Sequence, residues 1–124
     1  MNGRTILYVE DNEFNLKMVR QLLARTSYRL LEATDGEMGV ATALKEVPDL
    51  ILMDIQLPKL SGLDATRRLR ADPKTAHIPI ITITSFALSG DDQRAEDAGA
   101  SAYLAKPYSP RELLAMIRKL APEQ

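Results

Sequence analysis

Five short apolar segments alternate with segments of helical periodicity along this chain. The apolar segments are TILYV, RLLEA, DLILM, IPIITI and AYLA, at residues 5–9, 29–33, 49–53, 78–83 and 102–105. Such alternation is typical of βαβ units around a parallel sheet. The first segment lacks clean polar alternation, as expected for a strand that helices cover on both faces. The sequence therefore predicts an α/β fold in which each of five strands is followed by a helix.

Helical periodicity and capping residues predict where the five helices begin and end. Phe14, Met18 and Leu22 recur every four residues in the first helix, which is predicted over about 13–25. The other helices are predicted from about residue 36 to Pro48, from about 62 to 70, from about 88 to 98 and from 110 onward. The candidate N-caps are Asn12, Thr34 with Glu37 or alternatively Asp35, Ser61, and Ser109 with Glu112.

Composition limits the kinds of protein that this chain can be. Its 124 residues match the usual length of one domain and are enough to bury a core. A formal net charge of -1 gives no electrostatic reason to expect binding to nucleic acid or to a membrane. The absence of cysteine excludes disulfides and suits a reducing compartment, and the first apolar segment is too short for a signal peptide or membrane span. We expect a single cytoplasmic domain over 1–124, with no second domain.

Polar side chains capable of chemistry come at the ends of four apolar segments. Glu10 and Asp11 follow the first segment, Asp54 the third, Thr84 the fourth and Lys106 the fifth. The carboxyl ends of strands in an open parallel sheet face one crevice, where ligands bind. Residues far apart in the sequence are therefore predicted to meet at one edge of the sheet.

The residue types in this predicted crevice suit phosphoryl transfer to a carboxylate. A carboxylate can attack phosphorus to form an acyl phosphate, and a divalent cation such as Mg²⁺ brings the two negative partners together. An amine and a hydroxyl can hold the oxygens of the transferred group. In the strand order 2-1-3-4-5 the crevice lies between strands one and three, where Glu10, Asp11 and Asp54 end their strands.

Four sequence motifs resemble those of a known family. V-E-D-N near the start, L-M-D-I-Q-L-P around Asp54, T-I-T before residue 85 and Y-L-A-K-P before residue 108 are similar to motifs of two-component response regulator receiver domains. The resemblance implies a CheY-like, flavodoxin-like (βα)5 fold with a doubly wound five-stranded parallel sheet of order 2-1-3-4-5. More narrowly, EDNEFN, PDLILMDIQLPKLSGL, AHIPI and SFALSGDD resemble segments of DivK-type single-domain response regulators of bacterial cell-cycle and developmental signalling.

The resemblance also implies roles for individual residues. Asp54 would accept a phosphoryl group from a phosphohistidine. Glu10, Asp11, Asp54 and the main-chain carbonyl of Gln56 would hold Mg²⁺ or Mn²⁺. Thr84 would bond the phosphoryl group and swing toward it.

Two further roles implied by the resemblance concern the fifth strand and its end. Lys106 would pair with the phosphoryl group, and its peptide bond to Pro107 would be cis. Tyr103 would be the aromatic residue that turns inward on activation, together with the Thr84 switch hydroxyl.

The expected partners also follow from the resemblance. The donor would be a histidine kinase or a histidine phosphotransferase. A downstream protein would bind through the face formed by helix four, strand five and helix five, and the protein would be a monomer or a weak dimer. The domain would catalyse only its own phosphorylation and dephosphorylation, with neither nucleic acid nor membrane as a partner.

Two other functions are open to a chain of this composition. Aspartate-nucleophile phosphohydrolases have a similar site but typically place a second aspartate, as general acid, two residues after the nucleophile, where this chain has Gln56. A flavodoxin-type binding module would have a first loop rich in Ser, Thr and Gly, whereas the loop after the first strand here is acidic. Both alternatives are less consistent with the sequence than a receiver.

Overall fold

In a computed structural model, which describes residues 3–84, 90–105 and 108–123, five strands alternate with five helices. The strands are β1 (Thr5–Val9), β2 (Arg29–Ala33), β3 (Leu50–Asp54), β4 (Ile80–Thr84) and β5 (Ala102–Ala105). The helices are α1 (Glu13–Leu23), α2 (Gly36–Glu46), α3 (Gly62–Ala71), α4 (Asp91–Ala98) and α5 (Pro110–Leu120).

The strands form one parallel sheet in the order β2-β1-β3-β4-β5, which confirms the predicted topology. β3 is central and fully buried, and the more polar β2 lies at an edge. The direction of strand addition reverses between β1 and β3. The carboxyl ends of these two strands therefore border the crevice in which ligands bind in open parallel sheets.

Side chains alternate between the two faces of the sheet and form two apolar layers. The first layer lies under α1 and α5 and includes Tyr8, Leu52 and Ile83. The second lies on the other face, under α2 and α3, and includes Val9 and Met53. A polar residue that continues a strand therefore faces the same side of the sheet as the apolar residue two positions before it.

Capping residues at the helix starts explain where most helices begin. The side chains of Asn12, Asp35 and Ser61 each accept a hydrogen bond from a backbone N–H three residues later. Asp35, not Thr34, caps α2, which settles the alternative left open by the sequence. Ser109 and Glu112 form the predicted capping box of α5, with Pro110 in the first turn.

Several boundaries differ from the sequence prediction by one or two residues. α1 ends at Leu23 and not at Arg25, because the chain turns to begin β2. Asp54 and Thr84 are the last residues of their strands, so the predicted ends of both strands are one residue too early. In the described part of the chain α4 begins at Asp91, and its predicted start at residue 88 lies outside the described residues.

Arg70, near the end of α3, joins two neighbouring loops. Its guanidinium donates to the carbonyl oxygens of Gly99 at 2.8 Å, Ala76 at 3.0 Å and Ile78 at 2.6 Å, and to Ser101 Oγ at 3.3 Å. Burial lowers the pKa of this guanidinium. The loop after α4, which leads into β5, is thereby fastened to α3. Among the described residues no helix is long and apolar enough to span a membrane.

Candidate functional site

Glu10 and Asp54 meet because their strands are neighbours and end at the same level. Val9 is the register partner of Met53, so the next residue on each strand, Glu10 and Asp54, emerges at the same edge. Both continue the set of side chains that includes Tyr8 and faces α1 and α5. Asp11 follows directly, and the three carboxylates each place one oxygen within 4.8 Å of the others.

Burial makes this cluster of acids electrostatically unfavourable without a positive partner. Glu10 is 3% exposed and Asp54 is 8% exposed, whereas Asp11 is open to solvent. Burial, followed by the charge of Glu10, raises the pKa of Asp54 to about 7. The backbone N–H of Gln56 donates to Asp54 Oδ1 at 3.3 Å and opposes that shift. Asp54 is therefore held in a site that favours either a proton or a cation.

The donor set of this cluster fits a hard divalent cation. Mg²⁺ prefers oxygen ligands and commonly uses one or two carboxylates, completing its shell with water and phosphate. Glu10, Asp11 and Asp54 supply carboxylate oxygens only, and Asp11 is open to solvent. A cation would also remove the mutual repulsion that raises the pKa of Asp54. These three residues could hold Mg²⁺.

Among the described residues, three hydrogen-bond donors hold Glu10. The Tyr8 hydroxyl donates to Oε1 at 3.1 Å, Asn15 Nδ2 to the same oxygen at 3.3 Å, and the Asn12 backbone N–H to Oε2 at 3.1 Å. Burial and the nearby Glu10 charge raise the pKa of Tyr8, which stays a neutral donor. Neither Tyr8 nor Asn15 was predicted from the sequence to belong to the site. Tyr8 lies two residues before Glu10 and so on the same face of β1, which was an available signal.

Thr84 and Tyr103 lie at the same end of the sheet as the acids but on its other face. Ile83, not Thr84, is the register partner of Asp54, and alternation along β4 turns Thr84 away from the layer under α1 and α5. Tyr103 pairs with Thr82, so Tyr103 and Thr84 share a face as diagonal neighbours. Thr84 is 1% exposed and Tyr103 is half-buried.

Of the two remaining predicted site residues, Gln56 and Lys106, only Gln56 lies among the described residues. Gln56 lies two residues after the end of β3, and its side chain is exposed. Lys106 and its peptide bond to Pro107 lie outside the described residues. The structure thus brings together Glu10, Asp11 and Asp54, with the backbone of Gln56 beside them.

Comparison with known proteins identifies the family. The sequence model of the response regulator receiver domain matches residues 6–118, which is nearly the whole chain. The chain belongs to the response regulator receiver domain family. This receiver therefore works in two-component signalling, where receivers interact with histidine kinases or phosphotransfer proteins and with downstream targets.

Individual relatives agree with this membership. The receiver is 40% identical over 115 residues to the polar-differentiation response regulator DivK of Brucella anthropi, covering 93% of this chain and 94% of that protein. It is 39% identical to the receiver domain of a sensor histidine kinase of Pseudomonas aeruginosa, with a TM-score of 0.88 over 96% of this chain and 98% of that one. That crystal structure has a magnesium ion coordinated in the active site cleft. The chemotaxis protein CheY4 of Vibrio cholerae is 26% identical, with a TM-score of 0.86 over 94% of this chain and 98% of that one.

Proposed function

We propose that this receiver stores a phosphoryl group on Asp54, taken from a phosphohistidine of a histidine kinase or histidine phosphotransferase. In the transfer, a carboxylate oxygen of Asp54 forms a bond to phosphorus while the bond from phosphorus to the histidine nitrogen breaks. The electron pair of that bond stays with the histidine ring. Hydrolysis of the acyl phosphate by water would return the carboxylate and inorganic phosphate. The receiver would therefore catalyse only its own phosphorylation and dephosphorylation.

The observation that carries this proposal is the convergence of three carboxylates at the reversal point of the sheet. Their ligand oxygens lie within 4.8 Å of one another, with Asp54 at the end of the central strand. A structural role alone gives no reason to place Asp54 and Glu10 together when each is nearly inaccessible to solvent. A site that must attract a cation and a phosphate gives such a reason.

Divalent metal binding is the second part of the proposal. Glu10, Asp11, Asp54 and the main-chain carbonyl of Gln56 would hold Mg²⁺ or Mn²⁺. When bound, the ion neutralises charge that develops on the transferred phosphoryl oxygens. The support within this chain is the all-oxygen donor set and the raised pKa of Asp54.

A phosphoryl group on Asp54 would carry a charge of roughly −1.5 to −2, in place of the single negative charge of the ionised carboxylate. We propose that Thr84, at the end of β4, swings over the edge of the sheet to bind its oxygens together with Lys106, and that Tyr103 turns inward as Thr84 moves. The support for the coupling of Thr84 to Tyr103 is their shared face, as diagonal neighbours on β4 and β5. Such a change would shift the population of a two-state surface.

The downstream partner is proposed to bind the face formed by α4, β5 and α5. A shallow groove on this face is lined by Asp92, Glu96 and Tyr103 together with residues 100–102. Its two carboxylates favour a partner with a basic contact surface. We propose that the receiver acts as a monomer or weak dimer in the cytoplasm, which its cysteine-free composition suits.

A phosphohydrolase function is less consistent with the site. Such an enzyme needs a general acid beside its nucleophile, and the residue two positions after Asp54 is Gln56, whose amide cannot supply a proton in that role. The family membership favours the receiver.

Intact-mass spectrometry after incubation with acetyl phosphate and Mg²⁺ tests the proposal. We expect one phosphoryl adduct on the parent protein and none in EDTA or with Asp54→Asn. The matched control is Asp97→Asn, which removes an exposed carboxylate on α4 and should leave the adduct unchanged. An adduct that survives Asp54→Asn would overturn the assignment of the acceptor.

A further inference from the structure

Two side chains, one from β1 and one from α1, donate hydrogen bonds to Glu10. Tyr8 precedes it on the same face of β1, is inaccessible to solvent and lies in the apolar layer under α1 and α5. Asn15, on the first turn of α1, is 8% exposed. Both side chains direct a donor to Glu10.

The distribution of hydrogen bonds over the two Glu10 oxygens is unequal. Oε1 accepts from the Tyr8 hydroxyl and from Asn15 Nδ2, whereas Oε2 accepts from the Asn12 backbone N–H. An ionised carboxylate has about two acceptor positions on each oxygen. Among the described residues Oε1 thus accepts from two side-chain donors, whereas Oε2 accepts from one backbone donor and retains a position for Asp54 or a cation.

A donor pair on one oxygen also restrains the rotation of the carboxylate. Glu10 has a flexible side chain that would otherwise sample several rotamers at the end of β1. The phenol and the amide come from two different elements, β1 and α1, and both distances are within hydrogen-bonding range. Partners of this kind, one step removed from a metal, orient its ligands and affect its affinity.

We propose that Tyr8 and Asn15 are positioning residues that fix the Glu10 carboxylate so that Oε2 faces the divalent cation or a water bound to it. The inference rests on the metal site of the proposed function but not on phosphorylation. It adds two residues to that site, neither of which touches the ion. It also predicts that Glu10 acts through a single oxygen.

The test is Mg²⁺ affinity measured by calorimetric titration, without any phosphodonor. We expect Tyr8→Phe to weaken binding by about tenfold, and Asn15→Leu, which keeps the side-chain volume near its original value, to weaken it by a similar factor. Tyr28→Phe is the matched control. Tyr28 is a buried tyrosine in the same apolar layer, but its hydroxyl donates to the Ala121 carbonyl at 2.6 Å, so this variant should keep the parent affinity.

A double-mutant cycle separates positioning from general loss of structure. In a Glu10→Gln background, Tyr8→Phe should change Mg²⁺ affinity by less than about twofold, because the carboxylate that it positions is gone. A tenfold loss that persists in that background would overturn the inference, as would parent-like affinity in both Tyr8→Phe and Asn15→Leu. If the parent protein itself binds no Mg²⁺, both the inference and the proposed metal site fail. If the parent binds and the two variants bind equally well, only the inference fails.

Discussion

The carboxylates of Glu10 and Asp54 each place an oxygen within 4.8 Å of the other, although the two residues end different strands. They are brought together by the pairing of Val9 with Met53, one residue earlier on each strand. The folded receiver thus holds two nearly inaccessible acids side by side. A proton on Asp54 or a divalent cation at the cluster relieves the repulsion, and this competition links pH, metal and stability.

The stability of the metal-free receiver is expected to fall as pH rises from about 4 to about 7. The pKa of Asp54 is raised from 3.8 to about 7 in the folded protein, so over this range the folded state binds more protons than the unfolded state. Asp54→Asn lacks this dependence. The free energy of unfolding of this variant, relative to that of the parent, should therefore rise by about 2 kcal/mol between about pH 5 and about pH 8, after allowance for solvent screening.

Urea denaturation in EDTA measures this difference, with Asp97→Asn as the control for loss of an exposed carboxylate. The control should follow the parent at every pH. A constant difference between Asp54→Asn and the parent across this range would show that Asp54 has an ordinary pKa in the folded receiver.

Mg²⁺ is expected to stabilise the receiver by mass action, because the unfolded chain does not assemble the three carboxylates. At a concentration of 100 times Kd the gain is about 2.7 kcal/mol. Thermal denaturation with and without Mg²⁺ should show this gain in the parent and a much smaller gain in Asp11→Asn. An equal gain in both proteins would mean that the ion acts elsewhere on the molecule.

Gly62 is required by the close approach of α3 to the end of β3. A Cβ at this position would lie 1.8 Å from the carbonyl oxygen of Asp54. We expect Gly62→Ala to destabilise the receiver by more than about 2 kcal/mol and to slow phosphorylation, because the strand end must move.

Gly90→Ala provides the comparison for Gly62→Ala. Gly90 has a φ of 87°, and a Cβ there would make only an ordinary contact with Arg94 Nη1 at 3.7 Å, so only the backbone conformation opposes a side chain, at about 1 kcal/mol. Chemical denaturation of both variants measures the two effects. Equal losses of stability would contradict the close approach at Gly62.

Two buried threonines should respond in opposite ways to replacement by valine. The Thr82 hydroxyl is buried without a hydrogen-bond partner among the described residues, so Thr82→Val should raise the free energy of unfolding by about 1 kcal/mol. The Thr66 hydroxyl donates to the Gly62 carbonyl at 2.8 Å, so Thr66→Val should lower it by about 1 kcal/mol. A loss of stability in Thr82→Val would show that this hydroxyl has a partner in solution.

The sheet order and most strands could be predicted from the sequence because apolar segments and helix caps are local signals. β1, β2 and β5 have the predicted bounds, and Asn12, Ser61 and Ser109 cap helices as predicted. The ends of β3 and β4 were placed one residue early because Asp54 and Thr84 are polar, although each still pairs with a neighbouring strand. A polar residue in the sequence indicates exposure to solvent or a functional site, but it does not show where the hydrogen bonds between neighbouring strands end.

The candidate site was predictable only in part. The acids at strand ends follow from the topology, which brings parallel strands to a common edge. The donors to Glu10 depend on the direction of individual side chains: Asn15 reaches Glu10 from α1, a contact that neither helical periodicity nor residue type predicts. The separation of Thr84 from Asp54 onto opposite faces likewise depends on register, which pairs Asp54 with Ile83.

Chemical trapping of the phosphorylated residue tests whether Asp54 is the acceptor. The receiver is treated with acetyl phosphate and Mg²⁺ and reduced with borohydride, which converts an aspartyl phosphate to homoserine, and is then mapped by tandem mass spectrometry. We predict homoserine at position 54 alone, and none when Mg²⁺ is removed. Homoserine or its glutamate-derived counterpart at Glu10 or Asp11, or reduction at no position despite a phosphoryl adduct, would contradict the assignment of Asp54 as the phosphoacceptor.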